Sequence, residues 1–474
     1  MCGLAGYWDA AGRIGEGEMA HVALRMSRAI AHRGPDDEGV WADPGSGIAL
    51  AHRRLAIVGL GPAGHQPALS HCGRYAMAFN GEIYNHLELR ARLERERSNP
   101  PWRGGSDTET LLGCITAWGI GDAIRAAKGM FAIALWDREE RCLVLIRDRL
   151  GEKPLYYGWQ GDTFLFGSEL KALMAHPAFD ATIDRGALAL LLRHNAVPAP
   201  HSIFEHIKKL EPGSFLRLHC REGGGREPRP YSYWNVRDAV ERGLADPFRG
   251  GPGDCADAME AQLRRTVRGQ MLADVPLGAF LSGGIDSSLV VALMQAESAS
   301  PVRTFTIGFG GGDYDEAADA RAVARHLGTE HTELTITAED ALDVIPRLPG
   351  IYCEPFGDSS QIPTYLVSRL ARAHVAVALS GDGGDEVFGG YNRYLGARVA
   401  WERINGLPLR GRRALASVLT ALPPRCAVGS PSLAAWVEAN RHRLNADGAI
   451  WEEGGVNAEG DPQAVLGARG MLYV

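Results

Sequence analysis

Leu281–Ser288, LSGGIDSS, follows the apolar run 277–281 and leads into SLVVALM, an order that predicts strand, glycine turn and helix. Such a turn aims backbone N–H groups and the positive end of a helix dipole at one point, which suits a phosphate, with Asp286 placed to hold an accompanying magnesium. Two glycines alone would serve an ordinary turn equally well. Ser282, Ser287 and Ser288 add hydroxyl donors on both sides of Gly283 and Gly284, and the lysine required by G-x-x-x-x-G-K-[ST] is absent. The loop is therefore not one for γ-phosphate transfer. A second chemical candidate is Cys2, because removal of Met1 would set its thiol beside a free α-amine. With an amine pKa of about 7.7–8.0 and a thiol pKa of about 8.5, that amine can act as base for its own side chain.

The elements that must position these groups follow from periodicity. Met19, Val22, Met26 and Ile30 recur at helical spacing, and Gly34-Pro35 forces a turn. Short strands are expected at 49–50 and 55–58 around AHRR, and the run 75–79 leads into NGEIYN at 80–85. Gly59, Gly61 and Gly64 spell G-x-G-x-x-G, but Pro62 and the following HQPALSHCG supply no helix, so the stretch reads as a loop and not a dinucleotide site. Ser106-x-x-Glu109 is a capping box for a helix carrying Leu111, Leu112, Ile115 and Trp118 on one face. The runs 131–136 and 142–146 read as a hairpin, followed by RDRLGEKPLYY and FLFGSELKAL, with Tyr156, Tyr157 and Phe166 expected between sheet layers.

From 184 to about 253 the texture becomes rich in Pro, Gly and Arg, which predicts a connector at 186–254 between domains at 1–185 and 255–474. An amphipathic helix near 256–271 carries Met259, Leu263 and Val267. Beyond it the apolar runs 304–309 and 375–379 alternate with the helical ADARAVARHLG and PTYLVSRLARA, which argues for a doubly wound parallel sheet. Ligands of such sheets bind beyond the carboxyl ends of the strands. LSGGIDSS follows one such end and SGDGGDEVFGGY (380–391) another, so Asp382, Asp385 and Glu386 are expected near Asp286, as carboxylates suited to magnesium between phosphate oxygens.

The totals narrow the class. A chain of 474 residues is long enough for two domains. Net charge is −7 without a block of like charges, so nothing attracts nucleic acid or an acidic membrane surface. The longest apolar runs, 188–192 and 375–379, fall far short of the roughly 18 residues of a membrane helix. MCGLAGYWDAAG has neither a basic n-region nor an apolar h-region, and no N-x-S/T sequon occurs. The eight cysteines are scattered without a C-x-x-C pair, which fits reduced thiols in a cytoplasm.

Through MCG, RGPD, HRRL, FNGEIYN and SDTE, about residues 1–180 resemble class II glutamine amidotransferases of the N-terminal-nucleophile type. The resemblance implies that Cys2 attacks the glutamine side-chain amide and that Asn80 and the Gly81 N–H form the oxyanion hole. It also implies that Arg54 holds the glutamine carboxylate and Asp107 its α-amine, with Glu82 in the same site. LSGGIDSS resembles the pyrophosphate loop of ATP pyrophosphatases, and from Met1 to about Tyr394 the chain resembles glutamine-hydrolysing asparagine synthetases.

The implied fold is α/β and α+β: an N-terminal-nucleophile αββα sandwich, then a doubly wound parallel α/β ATP-pyrophosphatase domain. Carried over residue by residue, Leu281, Ile307, Ser380 and Gly381 border ATP beside the loop 282–288, and Asp286 and Asp385 hold Mg2+. Asp382 stands where many relatives have a glutamate that serves the acyl-adenylate, and it is one methylene shorter. The implied reaction is amidation of aspartate by ammonia from glutamine, through an acyl-adenylate, giving asparagine, glutamate, AMP and pyrophosphate. EPFGDSSQIPTY (354–365) does not certify aspartate, so an amidotransferase for another carboxylate, in a natural-product or cell-envelope pathway, stands as the alternative. The family's lysine-containing helix and E-x-R-x-P-F-L-D motif are not found after Tyr394, which leads us to expect a truncated second domain and, as a third reading, glutaminase activity only. Expected partners are glutamine, a carboxylate and ATP, with a homodimer allowed.

Overall fold

The computed structural model describes residues 1–219, 228–309 and 316–421. Residues 1–235 and 246–381 form one compact unit, and 236–245 with 382–421 belong to a second. The first unit opens with β1 (Gly3–Asp9), β2 (Asp37–Asp43), β3 (Ile48–Arg54), β4 (Ala68–Leu69), β5 (Tyr75–Ile83) and β6 (Gly129–Asp137). It continues with β7 (Cys142–Arg147), β8 (Tyr156–Gln160), β9 (Thr163–Gly167), β10 (Ile207–Lys209), β11 (Ser214–His219) and β12 (Tyr231–Ser232).

These strands build two six-stranded antiparallel sheets, ordered β10-β8-β9-β1-β3-β2 and β12-β11-β7-β6-β5-β4. The sheets stack face to face. β6 shows why its sequence is apolar throughout: Ala132, Ala134 and Trp136 meet the other sheet, while Phe131, Ile133 and Leu135 meet helices. Between the sheets, the small side chains of Ala76, Ala78, Ala132 and Ala134 share a core with Trp8, Trp136, Phe164 and Phe166. The helices Glu16–Arg28 and Leu170–Met174 cover the outer face of the first sheet. His86–Arg95, Asp107–Trp118 and Ile120–Ala126 cover that of the second. The result is an αββα sandwich.

Three expectations need correction. Leu55–Val58 is not a strand, because β3 ends at Arg54 and the chain leaves the sheet there. Tyr157 and Phe166 lie between the sheets, but Tyr156, one residue out of phase, packs on the helix-covered face. The capping box is only half formed: Ser106 Oγ accepts from Glu109 N at 3.2 Å, while the Glu109 carboxylate accepts from Arg103 N and Gly104 N at 2.7 and 2.9 Å.

The later part of the unit holds β13 (Leu277–Phe280), β14 (Arg303–Gly308), β15 (Glu330–Thr335) and β16 (Val377–Leu379), all parallel in the order β15-β14-β13-β16. Ala279 and Leu281 face a cluster with Val267, Val291 and Ala320 from three helices, and Phe280 and Phe305 face the helix Gln361–Arg372 on the other side. That is a doubly wound sheet. The second unit contains the helices Val236–Ala245, Gly384–Phe388, Asn392–Ile404 and Leu409–Ala421. The C-terminal stretch bearing on the expected truncation lies, from residue 422 on, outside the described residues.

Trp136 is 1 % exposed between the two sheets. Trp136→Ala should therefore cost about 3–5 kcal/mol, and the urea midpoint of the first unit should fall accordingly.

Candidate active site

Cys2 stands one residue ahead of the antiparallel pairing of β1 with β3, in which Gly3 opposes Arg53. The register carries the thiol to the point where the chain leaves β3. There the thiol donates to Leu55 O at 3.5 Å and accepts from Leu55 N at 3.4 Å. Arg33 Nε donates to Cys2 O at 2.9 Å, and its Nη1 donates to Glu169 Oε1 at 2.8 Å, which fixes the backbone behind the thiol. Burial pushes the Cys2 thiol up from its ordinary value, against the pull of the adjacent N-terminal charge. Burial and then Arg33 lower the Met1 amine to about 5.

A pocket opens on Cys2 and is lined also by Arg54, Asn80, Gly81, Glu82 and Asp107. All the glutamine-site residues expected from the sequence are thus in one place. β5 supplies Asn80 and Gly81 from the opposite sheet, where Gly81 pairs with Phe131 so closely that a Cβ would overlap Met130 O. Asn80 is 1 % exposed, and its Oδ1 has no partner among the described residues.

The G-x-G-x-x-G stretch proves to be a cradle for Arg54. Arg54 Nη2 donates to Gly59 O at 2.5 Å and Nη1 to Gly61 O at 3.2 Å, and a Cβ at Gly64 would overlap the guanidinium. These two bonds engage two of five guanidinium N–H groups and set the plane in which the rest can meet a carboxylate. Asp107 begins the helix that follows Ser106, and its carboxylate accepts from Ile83 N at 3.0 Å and Thr108 N at 2.7 Å. Burial raises its pKa to about 6 despite those bonds.

Lys153 was not singled out by sequence reasoning, although it stands in the RDRLGEKPLYY run. It lines the same pocket at 1 % exposure, and burial lowers its pKa to about 8 against the opposing influence of Glu152, Asp148 and Glu82. Its distance from the other site residues in sequence hid it.

The segment after Arg54 belongs to both halves of the unit. Leu55, Ile57 and Val58 line the pocket and also join the cluster of Ala279, Leu281 and Val291 around the loop-bearing strand β13. Just before β13, Asp274 Oδ2 accepts from Gly59 N at 2.7 Å and Asp274 N donates to Ile57 O at 2.9 Å. Sequence reasoning missed this link because its partners are 215 residues apart.

At the end of β13 the loop closes on its own hydroxyls. Ser287 Oγ lies 2.9 Å from Ser282 Oγ, accepts from Ser282 N at 3.2 Å and donates to Gly284 O at 3.2 Å. Ser288 Oγ, in the first turn of the helix Ile285–Glu297, is buried without a partner among the described residues. Gly283 needs its φ of +85°, and a Cβ there would lie 2.7 Å from Ala320 N. Gly381, after β16, would put a Cβ 2.6 Å from Ser287 N, so the ends of β13 and β16 are side by side, with Ser380 leading into Gly381. Ile307 lies on the neighbouring β14. Asp286 is in the first unit, whereas Asp382, Asp385 and Glu386 are in the second. Among the described residues no group of three His, Cys, Asp or Glu side chains gathers as a metal site.

Two outcomes are expected. If Arg54 holds glutamine as the sequence resemblance implies, Gly64→Ala should displace its guanidinium and raise the KM for glutamine by about 10- to 100-fold, as for a charged hydrogen bond of about 1.5–3 kcal/mol. Below pH 6 the Asp107 carboxylate becomes protonated and loses its attraction for an ammonium, so that KM should also rise about tenfold per pH unit. Asp107→Asn should abolish that pH dependence.

Comparison with known proteins agrees with the two halves. Residues 1–234 match a glutamine amidotransferase domain family, and 258–466 match the asparagine synthase family. The chain is 37 % identical over 414 residues to a Methanocaldococcus jannaschii protein provisionally named asparagine synthetase [glutamine-hydrolyzing] 2, covering 83 % of this chain and 76 % of that one. It is 34 % identical to asparagine synthetase [glutamine-hydrolyzing] 1 of Bacillus subtilis, covering 83 % of this chain and 59 % of that one. Against asparagine synthetase B [glutamine-hydrolyzing] of Escherichia coli the identity is 33 %, over 82 % of this chain and 65 % of that one. The chain thus spans less than two thirds of the length of the latter two relatives, and it belongs to the glutamine-hydrolysing asparagine synthetase family.

Proposed function

We propose that the chain is a glutamine-dependent carbon–nitrogen ligase that amidates aspartate to asparagine with ATP. The observation that carries the reading is the single pocket shared by Cys2, Arg54, Asn80, Gly81, Glu82 and Asp107, walled by the segment that also packs on β13. In this reading residues 1–185 are the glutaminase domain, and β10 to β12, from the proline- and glycine-rich segment, complete its two sheets. Arg54 meets the glutamine carboxylate and Asp107 its ammonium.

With Met1 removed, the α-amine of Cys2 takes the thiol proton while sulfur bonds to the amide carbon. The carbonyl electron pair moves onto oxygen, which Asn80 and the Gly81 N–H receive. When that pair returns, the C–N bond breaks, and the proton leaves on nitrogen as ammonia. Water then attacks the thioester, and glutamate departs with the thiol restored.

In the second half, the turn Leu281–Ser288, Ile307, Ser380 and Gly381 would border ATP, with N–H groups and the Ser288 hydroxyl, which has no partner among the described residues, facing phosphate. Asp286 and Asp385, as hard carboxylate donors, would hold Mg2+ together with phosphate oxygens, which suits an ion that takes few protein ligands. Asp382 would supply the acid–base group of the adenylation step. Among the described residues no helix is long and apolar enough to cross a membrane, and a cytoplasmic setting with small-molecule partners is part of this reading.

ATP–pyrophosphate exchange across a panel of carboxylates tests the acceptor. Exchange with aspartate alone is expected, and exchange with another acid but not aspartate would assign the alternative substrate. Cys2→Ala should abolish glutamine-dependent amidation and leave ammonia-dependent synthesis, read by product formation from each nitrogen source. Asp286→Asn should remove exchange while glutamine turnover continues.

A further inference from the structure

We propose that Ser168 is the positioning residue that turns the Asn80 amide so that its nitrogen, and not its oxygen, is presented to the developing oxyanion. The inference rests on the glutaminase reading above. Ser168 lies directly after β9 and is fully buried. It faces Leu4 in a reciprocal pair: Ser168 N donates to Leu4 O at 2.9 Å, and Leu4 N donates to Ser168 Oγ at 3.0 Å. The hydroxyl is thereby held by β1, two residues from the nucleophile.

Asn80 comes from the other sheet. Its place in β5 is two residues beyond Ala78, whose side chain packs between the sheets, so the amide is directed at the first sheet. There Asn80 Nδ2 lies 3.4 Å from Ser168 Oγ. Taken with nitrogen inward, this arrangement fails twice. Ser168 Oγ receives two N–H groups, and among the described residues its own proton has no acceptor, while the buried Asn80 Oδ1 has no donor. A half turn of the amide cures both faults, because the two ends are alike in shape and differ only in partners. Ser168 O–H then donates to Oδ1, Leu4 N–H still donates to Ser168, and Nδ2 becomes the free donor of a residue that lines the pocket. A hydroxyl can do this because it donates and accepts at once. Leu4 N–H, already a donor, forces the Ser168 proton toward Asn80.

Ser168 touches neither substrate nor sulfur in this account, so its loss should affect the tetrahedral state and spare glutamine binding. The test uses the full chain, with glutamine as substrate and L-glutamate γ-semialdehyde, which forms a tetrahedral adduct with the Cys2 thiol, as probe. In Ser168→Ala the glutaminase kcat should fall roughly tenfold to hundredfold, below the ~10²–10³ of deleting an oxyanion donor. Affinity for the aldehyde should weaken in parallel, and the glutamine KM should stay within about twofold. Ser168→Thr, which keeps the hydroxyl, should restore most of kcat and guards against a folding defect in the alanine variant. Wild-type kcat and aldehyde affinity in Ser168→Ala, with Asn80→Ala strongly impaired, would overturn the positioning role alone. An unimpaired Asn80→Ala would instead remove the oxyanion assignment of Asn80, and the inference with it. A rise in KM with unchanged kcat in Ser168→Ala would also contradict it.

Discussion

The antiparallel register of β1 on β3 is the constraint on which the first site depends. Gly3 opposite Arg53 and Trp8 opposite Ile48 pin the first strand residue by residue. Because strand side chains alternate, a slip of one residue would turn Leu4 and Trp8 out of the inter-sheet core and carry Cys2 away from Leu55. The cost of that misplacement is set by the whole strand: Leu4, Tyr7 and Trp8 are buried, and each fully buried large apolar side chain contributes about 1.5–3 kcal/mol. The proposed nucleophile, placed at a chain end where fraying is normal, is held by the interior of the sandwich. The opposite sheet then needs only one strand, β5, to bring Asn80 and Gly81 to it.

A second consequence concerns the wall between the two chemistries. Leu55, Ile57 and Val58 have one environment in the pocket that opens on Cys2 and another against β13 and the helix Ile285–Glu297, and Asp274 ties Gly59 and Ile57 to the approach of that strand. Gly59 carries the relay further, since its N–H is held by Asp274 and its carbonyl holds Arg54. Hydrogen bonds thus run from the approach to the strand that ends in the phosphate-type loop to the residue that holds Arg54. All of these residues belong to one compact unit.

How far the sequence could be read follows the range of the interactions. LSGGIDSS was legible as strand, turn and helix because the hydrogen bonds among its own serines and glycines join residues at most five apart, Ser282 to Ser287 among them. Asn80 and Gly81 could be singled out together because they are adjacent residues of one strand. The G-x-G-x-x-G stretch was read as a loop, and its contacts as a cradle for Arg54 needed the fold of that loop back onto β3. Lys153 and Ser168 stayed hidden because they join the site across sheets from 73 and 88 residues beyond Asn80, Ser168 by its contact at 3.4 Å. β11 was also hidden: it pairs with β7 from within a stretch whose proline and glycine content signals a linker, and register against a distant partner leaves no local trace.

The account stands on Cys2 as the atom that takes the glutamyl group at the end of β1. The most direct measurement is an acid quench during turnover of radiolabelled glutamine, followed by peptide mapping. Label should appear on the N-terminal peptide beginning at Cys2, with Met1 absent, and hydroxylamine should release it as expected of a thioester. Glutamine consumption without label on that peptide, or label on a different residue, would contradict the account.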